Sequence, residues 1–110
     1  MSNVSQRVGF DTERARAATT FTGSYLAIGS ALTQNPVVIL FDNQTDVAVP
    51  LSFNQTSTWM TLAPGEAYLL DLRANHGMAS NYSMDIGTQF YTNASVGTTG
   101  SMRISNIYAR

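Results

Sequence analysis

A single histidine, His76, stands in Asn75-His76-Gly77, and no cysteine accompanies it in the 110 residues. Nucleophilic catalysis by serine needs a base and an orienting acid, and the Gly-x-Ser-x-Gly elbow that presents such a serine is absent. Asn and Gly favour left-handed turns, so the imidazole reads as part of an exposed loop. Zinc asks for three or four protein ligands, which one His cannot supply, so no metal site and no cofactor are expected. Zero Cys also removes disulfides and thiolate chemistry, leaving packing and hydrogen bonds to hold the fold.

Asp42 and Asp46 bracket Asn43-Gln44-Thr45, five oxygen-bearing side chains in a row. A calcium loop of the EF-hand kind needs Gly at its sixth place, where Ala48 or Val47 falls, and an acid near its twelfth, where Phe53 lies, so the segment reads as a polar turn. Asp71 and Arg73, two apart in a strand, share a face and form at most an exposed pair worth about 0 to 1 kcal/mol. Five Asn-x-Ser/Thr triplets begin at Asn3, Asn43, Asn54, Asn81 and Asn93. In a chain so rich in Ser and Thr they are expected by composition alone.

Trp59, Phe53, Tyr25, Tyr68, Phe90 and Tyr91 could line a sugar-binding groove, or they could fill a core. The carbohydrate-binding alternative places its ligand site at Trp59 and at His76, within the polar segment 73–85. Catalytic residues are not expected, since no cluster of titratable groups at recognisable spacing is present, and the chain reads as a non-enzyme.

Composition bears on partners. Charged residues make up 12% of the chain and Lys is absent, while Ser, Thr, Asn and Gln contribute 11, 13, 8 and 5 residues. A neutral polar surface resists association weakly and costs less to desolvate than a charged one, so a homo-oligomer is expected. A net charge of -1 argues against nucleic acid, whose phosphates demand clustered Lys and Arg. No 18-residue apolar run offers a membrane span, and residues 1–10 lack the apolar stretch of a secretory signal, so synthesis in the cytoplasm is expected.

These residues must be positioned by short elements. Residues 1–20 hold three of the six Arg and few large apolar side chains, and read as an N-terminal arm, extended or with a short helix over 13–18. The arm is expected to dock on a neighbouring subunit, with Val8 and Phe10 as apolar anchors and Arg7, Arg14 and Arg16 bonding acids or carbonyls at the rim. Residues 21–110 show short β-like runs at intervals near ten, the signature of an all-β sandwich.

Seven strands are expected, in a single small antiparallel β-sandwich of jelly-roll type. The unbroken run 36–41 reads as a strand buried on both faces. Val47, Val49, Leu51 and Phe53 alternate with smaller or polar residues, with Pro50 marking an edge or a bulge. Residues 58–62 and 66–72 flank Ala63-Pro64-Gly65 and read as a hairpin closed by a type II turn. Runs 86–92 and 101–108 read as a last pair, with Met102 and Ile104 on one face and Arg103 and Ser105 on the other.

In the second half, Leu62-Ala63-Pro64-Gly65, Leu70-Asp71-Leu72-Arg73-Ala74-Asn75, Ile86-Gly87-Thr88-Gln89-Phe90-Tyr91 and Gly100-Ser101-Met102-Arg103-Ile104-Ser105 follow in an order that resembles small structural proteins of tailed bacteriophage virions. The resemblance covers about residues 47–110. It implies a small β-sandwich, made in the host cytoplasm, that decorates or cements the capsid or lines the head-tail junction. Its expected partners are other virion proteins: capsid, portal or neck subunits. No catalytic residue comes with it. Absence of Lys suits a chain meant to pair, because lysines on edge strands are a common defence against unwanted pairing.

Overall fold

The computed structural model describes residues 8–72 and 84–109. Apart from one 3-10 turn at Ala18–Thr20, its regular elements are strands: β1 (Val8–Phe10), β2 (Arg14–Ala17), β3 (Leu26–Ala27), β4 (Pro36–Asn43), β5 (Val49–Leu51), β6 (Met60–Leu62), β7 (Ala67–Asp71), β8 (Tyr91–Thr92) and β9 (Ser101–Ala109). The protein is all-β, and its pairings among these strands are antiparallel.

The main sheet runs β1-β9-β4-β7, with β2 continuing β1 along the same side of β9. Two smaller pairs, β3-β8 and β5-β6, complete the set, and a bridge from Ser52 to Tyr91 ties them together. Side chains from all three groups meet in one core. Ile39, Phe41, Met102 and Ile104 come from the main sheet, and Val49, Leu51, Leu62, Ile28, Leu32 and Phe90 from the other elements. This sandwich-like packing centres on Phe41, whose ring meets Phe90 edge-on at 5.5 Å and Trp59 at 5.4 Å. Such edge-to-face contacts align the positive ring edge with the negative face of its neighbour.

Strand β9 alternates as its sequence requires: Met102, Ile104 and Asn106 are buried, and the residues between them are only partly so. Val49 and Leu51 are buried as the period of two predicts, and Pro50 pairs only toward β6. Three expectations are corrected. The run 36–41 is not covered on both sides, because Leu40 points away from the core and stays 37% exposed.

Segments 58–62 and 66–72 do not form a hairpin, since β6 pairs with β5 and β7 with β4. The type II turn is there, with Gly65 at φ 80° and the Glu66 N–H donating to the Ala63 carbonyl at 2.9 Å. It carries the chain from one sheet to another. Runs 86–92 and 101–108 likewise separate, β8 joining β3 and β9 joining β1, β2 and β4.

Of the two conformations expected for the N-terminal segment, residues 8–20 take the extended one: Arg14–Ala17 pairs with β9 from Ile104 to Ser101, and Ala18 is fully buried. Backbone pairing and that small core contact tie the segment to its own domain.

Candidate functional site

The outer face of the main sheet is fixed by register. Phe10 lies opposite Ile107, Ile107 opposite Val38, and Leu40 sits between Ser105 and Leu69. Paired residues in adjacent strands project to the same side, so these apolar side chains form two rows across the sheet. Exposure reaches 81% at Phe10 and 59% at Leu69. Between them an open groove of about 340 Å³ is lined by Phe10, Val38, Leu40 and Ile107, with Asp11, Glu13, Ser105 and Asn106 at its margin.

The margin is polar and ordered. Glu13 accepts from Arg103 at 2.9 Å and from the Ser105 hydroxyl at 3.3 Å, and Gln44 bridges Arg103 to Asp42 through bonds of 3.2 and 2.7 Å. An apolar centre with a hydrogen-bonded polar rim is the anatomy of a protein-protein contact.

The residues expected at an interface divide. Phe10 is presented to solvent. Arg14 is not: it is 2% exposed, and its guanidinium donates to the carbonyls of Ser30 (2.6 Å), Ala31 (2.7 Å) and Thr12 (2.8 Å). Gly29 makes this possible, because a Cβ there would stand 2.6 Å from that of Arg14. Arg16 also turns to its own chain, donating to Ala27 O at 3.0 Å. Both arginines therefore anchor residues 8–20 to the domain, and the expectation that a neighbour takes the Arg14 guanidinium is corrected, since its burial leaves no room for one, while Arg16 stays half-buried. Arg7 and His76 lie outside the described residues, as do Arg73 and the side chain of Val8.

Asp42 and Asp46 do not converge. Asp42 joins the rim network, whereas the Asp46 carboxylate accepts from the Thr98 hydroxyl and from the N–H groups of Thr98 and Thr99. Those bonds lower its pKa to about 2. Among the described residues no three His, Asp or Glu side chains gather as a metal site. The turn between the two aspartates holds instead a buried Asn43, whose amide ties Val47, Leu62 and Ala63 together.

Of the aromatic residues considered for a sugar groove, Phe90 is core, while Trp59 and Tyr68 keep 40% and 38% exposure. Their rings meet edge-on at 6.1 Å and 76°. Sequence reasoning missed Val38, Leu40, Leu69 and Ile107 as surface residues. The available signal was the two-residue period within an apolar run, which assigns alternate members to opposite faces.

Fold and surface together define an all-β, sandwich-like domain with an apolar outer sheet face. Comparisons with protein-family models, with curated proteins and with solved structures gave no match. Among the described residues no helix is long and apolar enough to cross a membrane.

Proposed function

We propose that the chain is a non-enzymatic structural subunit that assembles in several copies and stabilises its neighbours, of the kind that tailed bacteriophage particles carry on the capsid or at the head-tail junction. The observation that carries this reading is the apolar groove with Phe10 at its edge. Covering a Phe or Leu side chain contributes roughly 1.5 to 3 kcal/mol each. Several together supply a useful part of the 4 to 15 kcal/mol or so that association costs in lost freedom. The resemblance to virion proteins supplies the particle context, and the sparse charge removes a common barrier to packing copies side by side.

The test replaces Phe10 and Leu40 together by Ser. Phe10 is largely exposed already, so the domain should stay folded by circular dichroism while incorporation into particles, or oligomer formation in solution, is lost. Wild-type incorporation by a folded double variant sinks the proposal.

A second reading rests on Trp59 and Tyr68 as exposed aromatics for a sugar. The edge-on geometry gives no flat stacking platform, which is why it ranks below assembly. Glycan-array binding that disappears in Trp59→Ala would reverse that order.

A further inference from the structure

Phe10 and Glu13 stand three positions apart, which in a regular strand would put them on opposite faces. Both nevertheless face outward, because residues 11, 12 and 13 oppose only Asn106 and Ser105 between the pairs Phe10/Ile107 and Arg14/Ile104. A bulge of one residue bends an edge strand and re-aims the side chains that follow it. Glu13 thus reaches Arg103 and Ser105 on the outer face, while Phe10 stays 81% exposed at the rim of the groove.

The face carries a knob and a hollow side by side, and register sets their spacing. Phe10, Ile107 and Val38 share one row across β1, β9 and β4, and Leu40 lies two residues further along β4. At 4.8 Å between strands and 3.3 Å per residue, Phe10 and Leu40 are about 12 Å apart, with the groove between them. A cavity of about 150 Å³ is enough for benzene. The groove, of about 340 Å³, therefore admits a phenyl ring from a facing surface.

We infer that the groove is filled by a second copy of this chain, packed face to face about a two-fold axis that sets Phe10 of each copy against Leu40 of the other. Such a dimer rests on the assembly reading and deepens it, giving it a surface, a partner and a register. An isologous contact requires one patch to complement itself. The same axis satisfies the rest of the face: on flat-sheet spacings it brings Val38 over Ile107 of the second copy and Arg103 over Glu13 of the second copy.

Glu13 and Arg103 are 48% and 41% exposed and already bond at 2.9 Å within one chain. Across the axis each meets its opposite charge again, so the margin of the contact is electrostatically complementary to itself. Strands of the two sheets cross at roughly 70°, toward the orthogonal class of sheet packing, and overlap over a patch about 19 Å on a side, the span of four strands. An area of that order lies at the small end of specific interfaces, so the dimer is reversible, with a dissociation constant in the micromolar range.

Because the chain has no Cys, introduced thiols report the contact. Packed sheets stand about 10 Å apart, beyond direct disulfide range, so the reagent is a short bis-maleimide. Ser105 lies beside the axis, and Ser105→Cys is expected to give a linked dimer. Leu69→Cys is not, since that position stands roughly 20 Å from its counterpart along the face. Phe10→Ala is expected to raise the dimer dissociation constant at least tenfold by sedimentation equilibrium, with an unchanged circular dichroism spectrum.

No linked dimer from Ser105→Cys, equal linking from Leu69→Cys, or an unchanged dissociation constant in Phe10→Ala overturns the face-to-face dimer. Wild type that stays monomeric at 0.1 mM or so overturns it too. If replacing Phe10 and Leu40 by Ser still abolishes incorporation in that case, the assembly reading stands with a different virion protein in the groove. A dimer that links as expected and never joins a particle upholds this inference and ends the virion reading.

Discussion

Asp11 and Arg14 pair at 3.3 Å with side chains only 6% and 2% exposed, so this ion pair of the N-terminal segment is made inside the domain. A buried guanidinium is tolerable only if its donors are used, and here carbonyls of residues 12, 30 and 31 take them. These contacts join β2 to the loop before β4.

From this the first prediction follows. Arg14→Ala leaves Asp11 buried without its cation and three carbonyls without their donor, and should cost about 3 to 5 kcal/mol. Arg14→Lys should recover only part of that, because one ammonium cannot span the three acceptors. Urea denaturation of the two variants checks both statements. Equal stability of Arg14→Ala and wild type would mean that the residue is solvated in solution.

Asn43 is fully buried between β4 and the β5-β6 pair. Its amide donates to the carbonyls of Val47 (2.9 Å), Leu62 (3.1 Å) and Ala63 (3.1 Å), while its oxygen accepts from the Thr45 N–H and hydroxyl. Asn43→Leu has a similar volume but strands these groups, each at about 1 to 3 kcal/mol. The expected total loss is about 3 to 5 kcal/mol, against about 1 to 2 for Thr45→Val. Melting temperatures of the pair should keep that order.

A third expectation concerns acid. The bonds from Thr98 and Thr99 take Asp46 from 3.8 down to about 2. A carboxylate with a depressed folded pKa adds stability above its unfolded value and gives it up as pH falls through the folded one. Burial pushes Asp11 upward, yet its bonds from Thr12 and Thr33 and the charge of Arg14 outweigh this and lower it too. Asp46→Asn should therefore be less stable than wild type at pH 7, with the gap closing between about pH 4 and pH 2. Urea midpoints at pH 7, 4 and 2 show whether it closes; a gap constant down to pH 2 contradicts the assignment.

The all-β class was legible because short apolar runs alternate with turn residues, and the faces of β9 were legible from Met102, Arg103, Ile104 and Ser105 alone. Partners of strands were not. Pro64-Gly65 dictates a reversal of the chain, but whether β7 then lies beside β6 or beside β4 depends on which neighbour buries Leu70, and Ile39 comes from 31 positions earlier. Arg14 reads in the sequence as a rim contact to a neighbouring subunit, since its acceptors at Ser30 and Ala31 belong to a distant loop. Of the outer face, Phe10 stands out in the sequence as an apolar side chain of the N-terminal segment but not as part of a sheet, whereas Val38 and Leu40 are hidden in a run whose hydrophobicity fits either side of a sheet.

The place of β9 sets the order of folding events. It lies between β1 and β2 on one side and β4 on the other, and its Arg103 meets Glu13 across a separation of 90 residues. Emerging from the ribosome, residues 8–72 would have β4 and β7 available but neither side of that central strand. The N-terminal strands can only wait, their apolar sides uncovered, until residues 101–109 are made. Closing such long loops is slow compared with forming local hairpins. In the interval those uncovered apolar sides are able to meet another nascent chain, so polysome spacing and temperature during expression would decide how much of the product is recovered folded.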